Sequence, residues 1–156
     1  MNKRRRDITL LFATRFARMF AYGLVSIVLV LYLTRIGFNE RAVGLLLSLT
    51  LAGDLVISVF MTTRADRIGR RKMLIVGAML MSLAGVVFVS TSIFPLLLLA
   101  AVVGVISPSG NEIGPFLPIE QAAISEEVEG AQRTHLFAWY NLIGSIATAM
   151  GALIAG

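Results

Sequence analysis

Apolar residues come in long blocks in this chain, and the polar positions fall mostly between the blocks. From Ala42 to Thr63 there is one charged residue, Asp54, and from Met73 to Ala101 there is none. Blocks of this length match the roughly 20 apolar residues that a helix needs to cross the hydrocarbon of a bilayer. The pattern predicts five spanning helices. The first covers about 8–34 and is interrupted only by Arg15 and Arg18. A turn at Gly37-Phe38-Asn39-Glu40 follows, with Asn39 placed to cap a second helix over 40–63. The third covers 73–92. Pro95, suited to a first helical turn, opens a fourth over 95–125, and the fifth covers 134–156.

Composition agrees with lipid as the surrounding solvent. Hydrophobic residues make up 57% of the chain and charged residues 15%, against the roughly 25% charged residues typical of soluble domains. There is no cysteine, which excludes disulfides, thiolate metal sites and cysteine nucleophiles. The formal charge of +5 lies at the ends of apolar blocks, where membrane topology accounts for it and nucleic-acid binding does not. Lys3, Arg4, Arg5 and Arg6 resemble the opening of a signal peptide, but Arg15 and Arg18 interrupt the apolar region and no small-residue cleavage site follows, so a retained helix is expected.

Lysine and arginine also orient the chain. With the N-terminus in the cytoplasm, the inner segments hold Lys3, Arg4, Arg5, Arg6, Arg64, Arg67, Arg70, Arg71, Lys72 and Arg133, and the outer loops hold only Arg35 and Arg41. That asymmetry places the N-terminus inside. Glu126, Glu127 and Glu129 read as a solvated connector. The last helix ends in Gly-Ala-Leu-Ile-Ala-Gly with no polar flank, which suggests a fragment of a longer membrane protein.

Charges at membrane depth are costly, so each is a functional candidate. Arg15 and Arg18 share one face of the first helix, with Tyr22 a turn further on. At 1.5 Å per residue, Arg18 lies about 16 Å from Asp7, Asp54 about 14 Å from Thr63, and Glu112 about 20 Å from Ser125 if that stretch is straight helix. The depths allow one buried cluster of Arg15, Arg18, Asp54 and Glu112. The alternatives are a snorkelling Arg15 and a purely structural ion pair for Asp54. Glu120, nearer the cytoplasm, is expected to pair with Arg15 or the basic loop. Around Glu112 the chain reads Ser107-Pro108-Ser109-Gly110-Asn111-Glu112-Ile113-Gly114-Pro115-Phe116-Leu117-Pro118. Proline removes an amide donor and clashes with the preceding turn, so a kink or unwound stretch is expected at Pro108, Gly110, Gly114, Pro115 and Pro118. Irregular backbone at this depth is tolerated where it is packed in protein or lines a wet cavity. Asn111 and Glu112 are therefore candidates to contact a solute or a proton.

The fifth helix carries Gly144 and Gly151, seven residues apart on one face, a pattern of close helix packing. Trp139 reads as ordinary packing, and Tyr140 and Asn141 as packing or cavity-facing. His135 reads as a capping or solvated residue. The third helix, without charge, can face lipid all round.

The loop Thr62-Thr63-Arg64-Ala65-Asp66-Arg67-Ile68-Gly69-Arg70-Arg71-Lys72 resembles the motif G-x-x-x-D-R-x-G-R-[RK] between the second and third helices of major facilitator superfamily transporters. Asp66, Arg67, Gly69, Arg70 and Arg71 match, and Thr62 replaces the leading glycine. The order of segments is similar to the first five helices of a twelve-helix carrier. The fold class expected is thus an all-α membrane protein, part of the six-helix N-terminal half. The resemblance implies alternating access between two halves and a small-molecule solute bound between them. It implies that Asp66 meets a helix N-terminus of a C-terminal half beyond this chain, closing the cytoplasmic gate, and that Arg70 pairs with an acid near the cytoplasmic end of the fourth helix, Glu120 being the nearest candidate. Two patterns of drug–proton antiporters are missing: Ala100 stands where their fourth-helix arginine would, and Ala152 where a proline would follow Gly151. The segment 107–121 is similar to that of a bacterial group within the superfamily.

The function expected is secondary active transport of a small solute, with a coupling proton, in a bacterial inner membrane. Arg18, Asp54, Asn111 and Glu112 are the substrate or proton-coupling candidates. No cofactor, metal site, nucleic-acid partner or catalytic constellation is expected. The alternative is a non-transporting receptor or assembly partner built on the same half-bundle.

Overall fold

The computed structural model describes residues 3–110, 112, 114–127 and 131–156. All the secondary structure among them is helical: α1 (Lys3–Arg35), α2 (Glu40–Ile68), α3 (Arg70–Ser90), α4 (Phe94–Val103), α5 (Phe116–Glu127) and α6 (Ala131–Ala155). Four of these, α1, α2, α3 and α6, are long and apolar enough to cross a membrane.

Local chemistry fixes the ends. α1 stops where Gly37 takes a φ of 96°, with Phe38 N–H donating to the Leu33 carbonyl at 3.1 Å. Asn39 then caps α2, its side chain accepting from Ala42 N–H at 2.9 Å. Gly69 alone separates α2 from α3. Its φ of 108° and ψ of 123° belong to a region that side chains avoid, so the sharp hairpin of the basic loop depends on this glycine. Pro95 lies in the first turn of α4.

The fourth apolar segment, expected over 95–125 with a kink or unwound stretch near Pro108 to Pro118, is interrupted more widely, the first helix ending at Val103. It is two short helices, α4 and α5, with non-helical backbone at 104–110, 112, 114 and 115. The chain leaves α4 through Val105, at a φ of 53°, a conformation that a β-branched residue rarely adopts.

Small residues set the closest approaches. The Cα of Gly23 on α1 rests against the backbone of Thr148 on α6, and Gly151 on α6 against that of Phe20. Met19, Tyr22 and Ala147 fill the space between them. On the other side of the bundle, Gly53 of α2 lies against Val102 of α4. A core of Leu29, Leu33, Val43, Leu46, Leu97 and Ala101 joins α1, α2 and α4. Towards the basic end, Met61, Ala65, Met73 and Ile119 join α2, α3 and α5. α3 turns Met79, Leu83, Val86 and Val89 outward, with Val89 89% exposed. In a bilayer such a face meets acyl chains at no cost.

Candidate functional site

The break between α4 and α5 surrounds the densest polar chemistry of the molecule. Tyr22, fully buried on α1, donates its hydroxyl to the carbonyl of Val105 at 2.9 Å, satisfying an acceptor that the end of α4 leaves open. The Ser107 and Ser109 hydroxyls lie 3.3 Å apart. Gly110 takes a φ of 71°, and a Cβ there would stand 3.5 Å from Ser26. Gly114 packs against Val105, Pro115 is fully buried, Pro108 is half-buried, and Pro118 is exposed in the first turn of α5.

Glu112, on this non-helical stretch, reaches both arginines of α1. Arg15 Nη1 donates to Glu112 Oε2 at 2.5 Å, and Arg18 donates to Glu112 Oε1 from Nε at 2.8 Å and from Nη2 at 2.5 Å. Arg18 also forks onto Glu120 of α5, Nη1 to Oε1 at 3.0 Å and Nη2 to Oε2 at 2.7 Å. The Tyr140 hydroxyl of α6 donates to Glu120 Oε2. Arg15 Nη2 lies 3.4 Å from Asn141 Oδ1. Each guanidinium stacks on a ring, Arg15 over Tyr140 at 4.3 Å and Arg18 over Phe116 at 4.2 Å. The side chains of Arg15, Arg18, Glu112 and Glu120 are all at most 8% exposed. The two cations and two carboxylates balance, and the multiple charge-assisted bonds offset their desolvation.

The sequence cluster is thus corrected in one member. Arg15, Arg18 and Glu112 meet as its depths allow, with Arg15 buried rather than snorkelling. The second carboxylate is Glu120, which binds Arg18 and Tyr140 and neither Arg15 nor the basic loop. Asp54 lies on the buried face of α2, between Thr50 and Met61, with 0% exposure. Both its carboxyl oxygens lack a hydrogen-bond partner among the described residues. Asn111 lies outside the described residues. Gly144, read as a helix-packing residue, instead makes room for a guanidinium: a Cβ there would stand 2.7 Å from Arg15 Nε.

At the basic end, Asp66 Oδ1 accepts from Arg70 Nε at 3.0 Å, and Arg70 Nη1 pairs with Glu126 Oε2 at 2.8 Å. The partner of Arg70 on the fourth segment is therefore Glu126, at the end of α5, and not Glu120. Asp66 and Glu126 are 76% and 69% exposed. Arg67 and Arg71 are exposed, and Arg64 stacks on Phe60 at 4.3 Å.

The chain as a whole is similar to known proteins. The chain matches the Major Facilitator Superfamily over residues 11–156. The chain belongs to this family. It is 46% identical over 151 residues to an uncharacterized membrane protein of Saccharomyces cerevisiae, covering 97% of this chain and 34% of that one. It is 28% identical over 156 residues to the quinolone resistance protein NorA of Staphylococcus aureus, covering 100% of this chain and 38% of NorA. The chain thus spans about a third of the length of these relatives. Family and apolar helices make it a membrane protein. One relative is fungal and one bacterial, so the bacterial inner membrane expected from the sequence is cut back to a membrane of unspecified kind.

Proposed function

We propose that this superfamily member is the N-terminal part of a secondary active carrier that moves a small solute by alternating access, with a C-terminal half completing the cavity. The observation that carries the reading is the charge-balanced cluster of Arg15, Arg18, Glu112 and Glu120, buried beside a broken helix. Buried ion pairs contribute little net stability compared with apolar packing, and broken helices are where membrane carriers hold solutes and coupling ions. Glu112 and Arg18 form the solute and coupling site, with Asn111 beside them in sequence. Asp54, a buried carboxyl whose oxygens have no hydrogen-bond partner among the described residues, is a second coupling candidate. Asp66, Arg67, Gly69, Arg70 and Arg71 form the cytoplasmic gate. NorA's name speaks of quinolone resistance, but Ala100 and Ala152 leave this chain without two drug-antiporter patterns, so no drug is assigned.

The test is solute flux into proteoliposomes holding the complete carrier, with and without a proton gradient. Glu112→Gln and Asp54→Asn are expected to abolish gradient-driven accumulation while leaving facilitated exchange measurable. Wild-type silence across a broad solute panel would favour a receptor or assembly partner instead. A rate independent of pH in both wild type and Glu112→Gln would remove Glu112 from coupling.

A further inference from the structure

The carboxylates of the buried cluster are held in unlike ways. Arg15, Arg18 and Glu120 project from regular helices, and Tyr140 pins Glu120 from α6. Glu112 alone projects from non-helical backbone, with Gly110 and Gly114 on either side. Two cations and one anion are therefore carried by helices, and the other anion by non-helical backbone. Removing Glu112 from the arginines leaves Arg15, Arg18 and Glu120, a site with one net positive charge and guanidinium donors already turned inward. Arg15 Nε is buried without a partner among the described residues, so the clamp has an unused donor. A cavity of about 760 Å³ between α1, α3 and α5 reaches Arg18 and Glu120 and is also lined by Arg6, Asp7, Arg70 and Arg71, three cations to one acid at its outer part, a balance of the sign that draws anions inward.

We propose that Glu112 is a built-in stand-in for the solute, and that the solute is a small organic monoanion of the carboxylate class that takes the Glu112 place on Arg15 and Arg18. This rests on the carrier reading above and adds its substrate class. The exchange balances in charge and protons. Glu112 carboxylate accepts one proton and leaves the guanidinium groups as a neutral acid, and one carboxylate anion enters. The buried net charge is unchanged, so anion and proton travel together in one direction. The other titratable groups turned towards the same space are Tyr22 on α1, Asp54 on α2, Glu120 on α5 and Tyr140 on α6. Glu120 is held by Arg18 and Tyr140. Asp54 has no cation partner among the described residues and does not hold the anion.

The probe is benzoate, which is ionised throughout pH 6–8, bound to the complete carrier in detergent. Wild type is expected to bind benzoate about tenfold more tightly for each pH unit of acidification, through linkage of one proton to one anion, and to take up one proton per benzoate from weakly buffered solution. Glu112→Gln is expected to bind benzoate without pH dependence and without proton uptake. The double variant Arg15→Gln/Glu112→Gln removes one charge of each sign, so the buried site stays neutral and the fold is kept, yet benzoate binding is lost. The proposal is overturned if Glu112→Gln fails to bind benzoate, or if the double variant binds it as Glu112→Gln does. Transport of cations or neutral solutes with no benzoate binding would overturn the anion class and leave the carrier reading standing. Absence of any flux would sink the carrier reading itself.

Discussion

Gly144 is occupied by chemistry rather than by a neighbouring helix. A Cβ there would lie 2.7 Å from Arg15 Nε and 3.0 Å from Nη2. The guanidinium cannot swing aside freely, because Glu112 holds one edge and the Tyr140 ring one face. Gly144→Ala is therefore expected to cost about 1–3 kcal/mol, the range for overpacking a filled interior, and to slow transport by loosening Arg15. A thermal melt in detergent and a flux assay read the two effects separately. A melt unchanged from wild type would mean that Arg15 relaxes without loss. This constraint was not legible in the sequence, where Gly144 and Gly151 look alike. Arg18 and Glu112 were legible because a charge deep in an apolar block stands out. Glu120 and Tyr140 were not. Glu112 and Glu120 are eight residues apart, about 12 Å along a straight helix. Only the loss of helix before Phe116 lets both carboxylates reach Arg18.

Among the elements, the blocks of apolar residues located α1, α2, α3 and α6 well, because a membrane span needs length and little else. The fourth segment carried its prolines and glycines in view, so an interruption was readable, but not where the helix would stop or resume. The stop depends on a tertiary contact. Tyr22 donates to the Val105 carbonyl at 2.9 Å, while Val105 holds a φ of 53° that costs about 1–3 kcal/mol in a non-glycine residue. Tyr22→Phe leaves that carbonyl buried and unsatisfied, a loss of about 1–3 kcal/mol. The effect should be local: amide hydrogen exchange is expected to rise across 104–110 and to stay unchanged in α2 and α3. Uniform acceleration along the chain would mean that the tyrosine stabilises the whole bundle rather than the break.

At the scale of the molecule, the ion pairs at the basic end and those in the core do different work. Asp66, Arg70 and Glu126 tie the end of α2, the start of α3 and the end of α5 together, three elements that the helix order alone does not bring to one point. The sequence motif supplied Asp66 and Arg70. It could not choose Glu126 over Glu120, because the choice turns on Glu120 being drawn into the core by Arg18. With both acids largely exposed, such pairs contribute about 0–1 kcal/mol each. Asp66→Asn should thus leave the melting transition within about 1 kcal/mol of wild type. If the cluster serves only to fasten the fold, the substitution should then be nearly silent in transport as well. If it latches one state of an alternating cycle, a change of this size is enough to alter the population of that state several-fold, since 1.4 kcal/mol is a factor of ten. The expected outcome in the complete carrier is a several-fold lower maximal rate with solute affinity unchanged. Lower affinity at an unchanged rate would place Asp66 outside the gate. The same comparison on Glu126→Gln separates the latch from the helix end: an effect equal to that of Asp66→Asn means that Arg70 transmits it, because Arg70 is the group the two acids share.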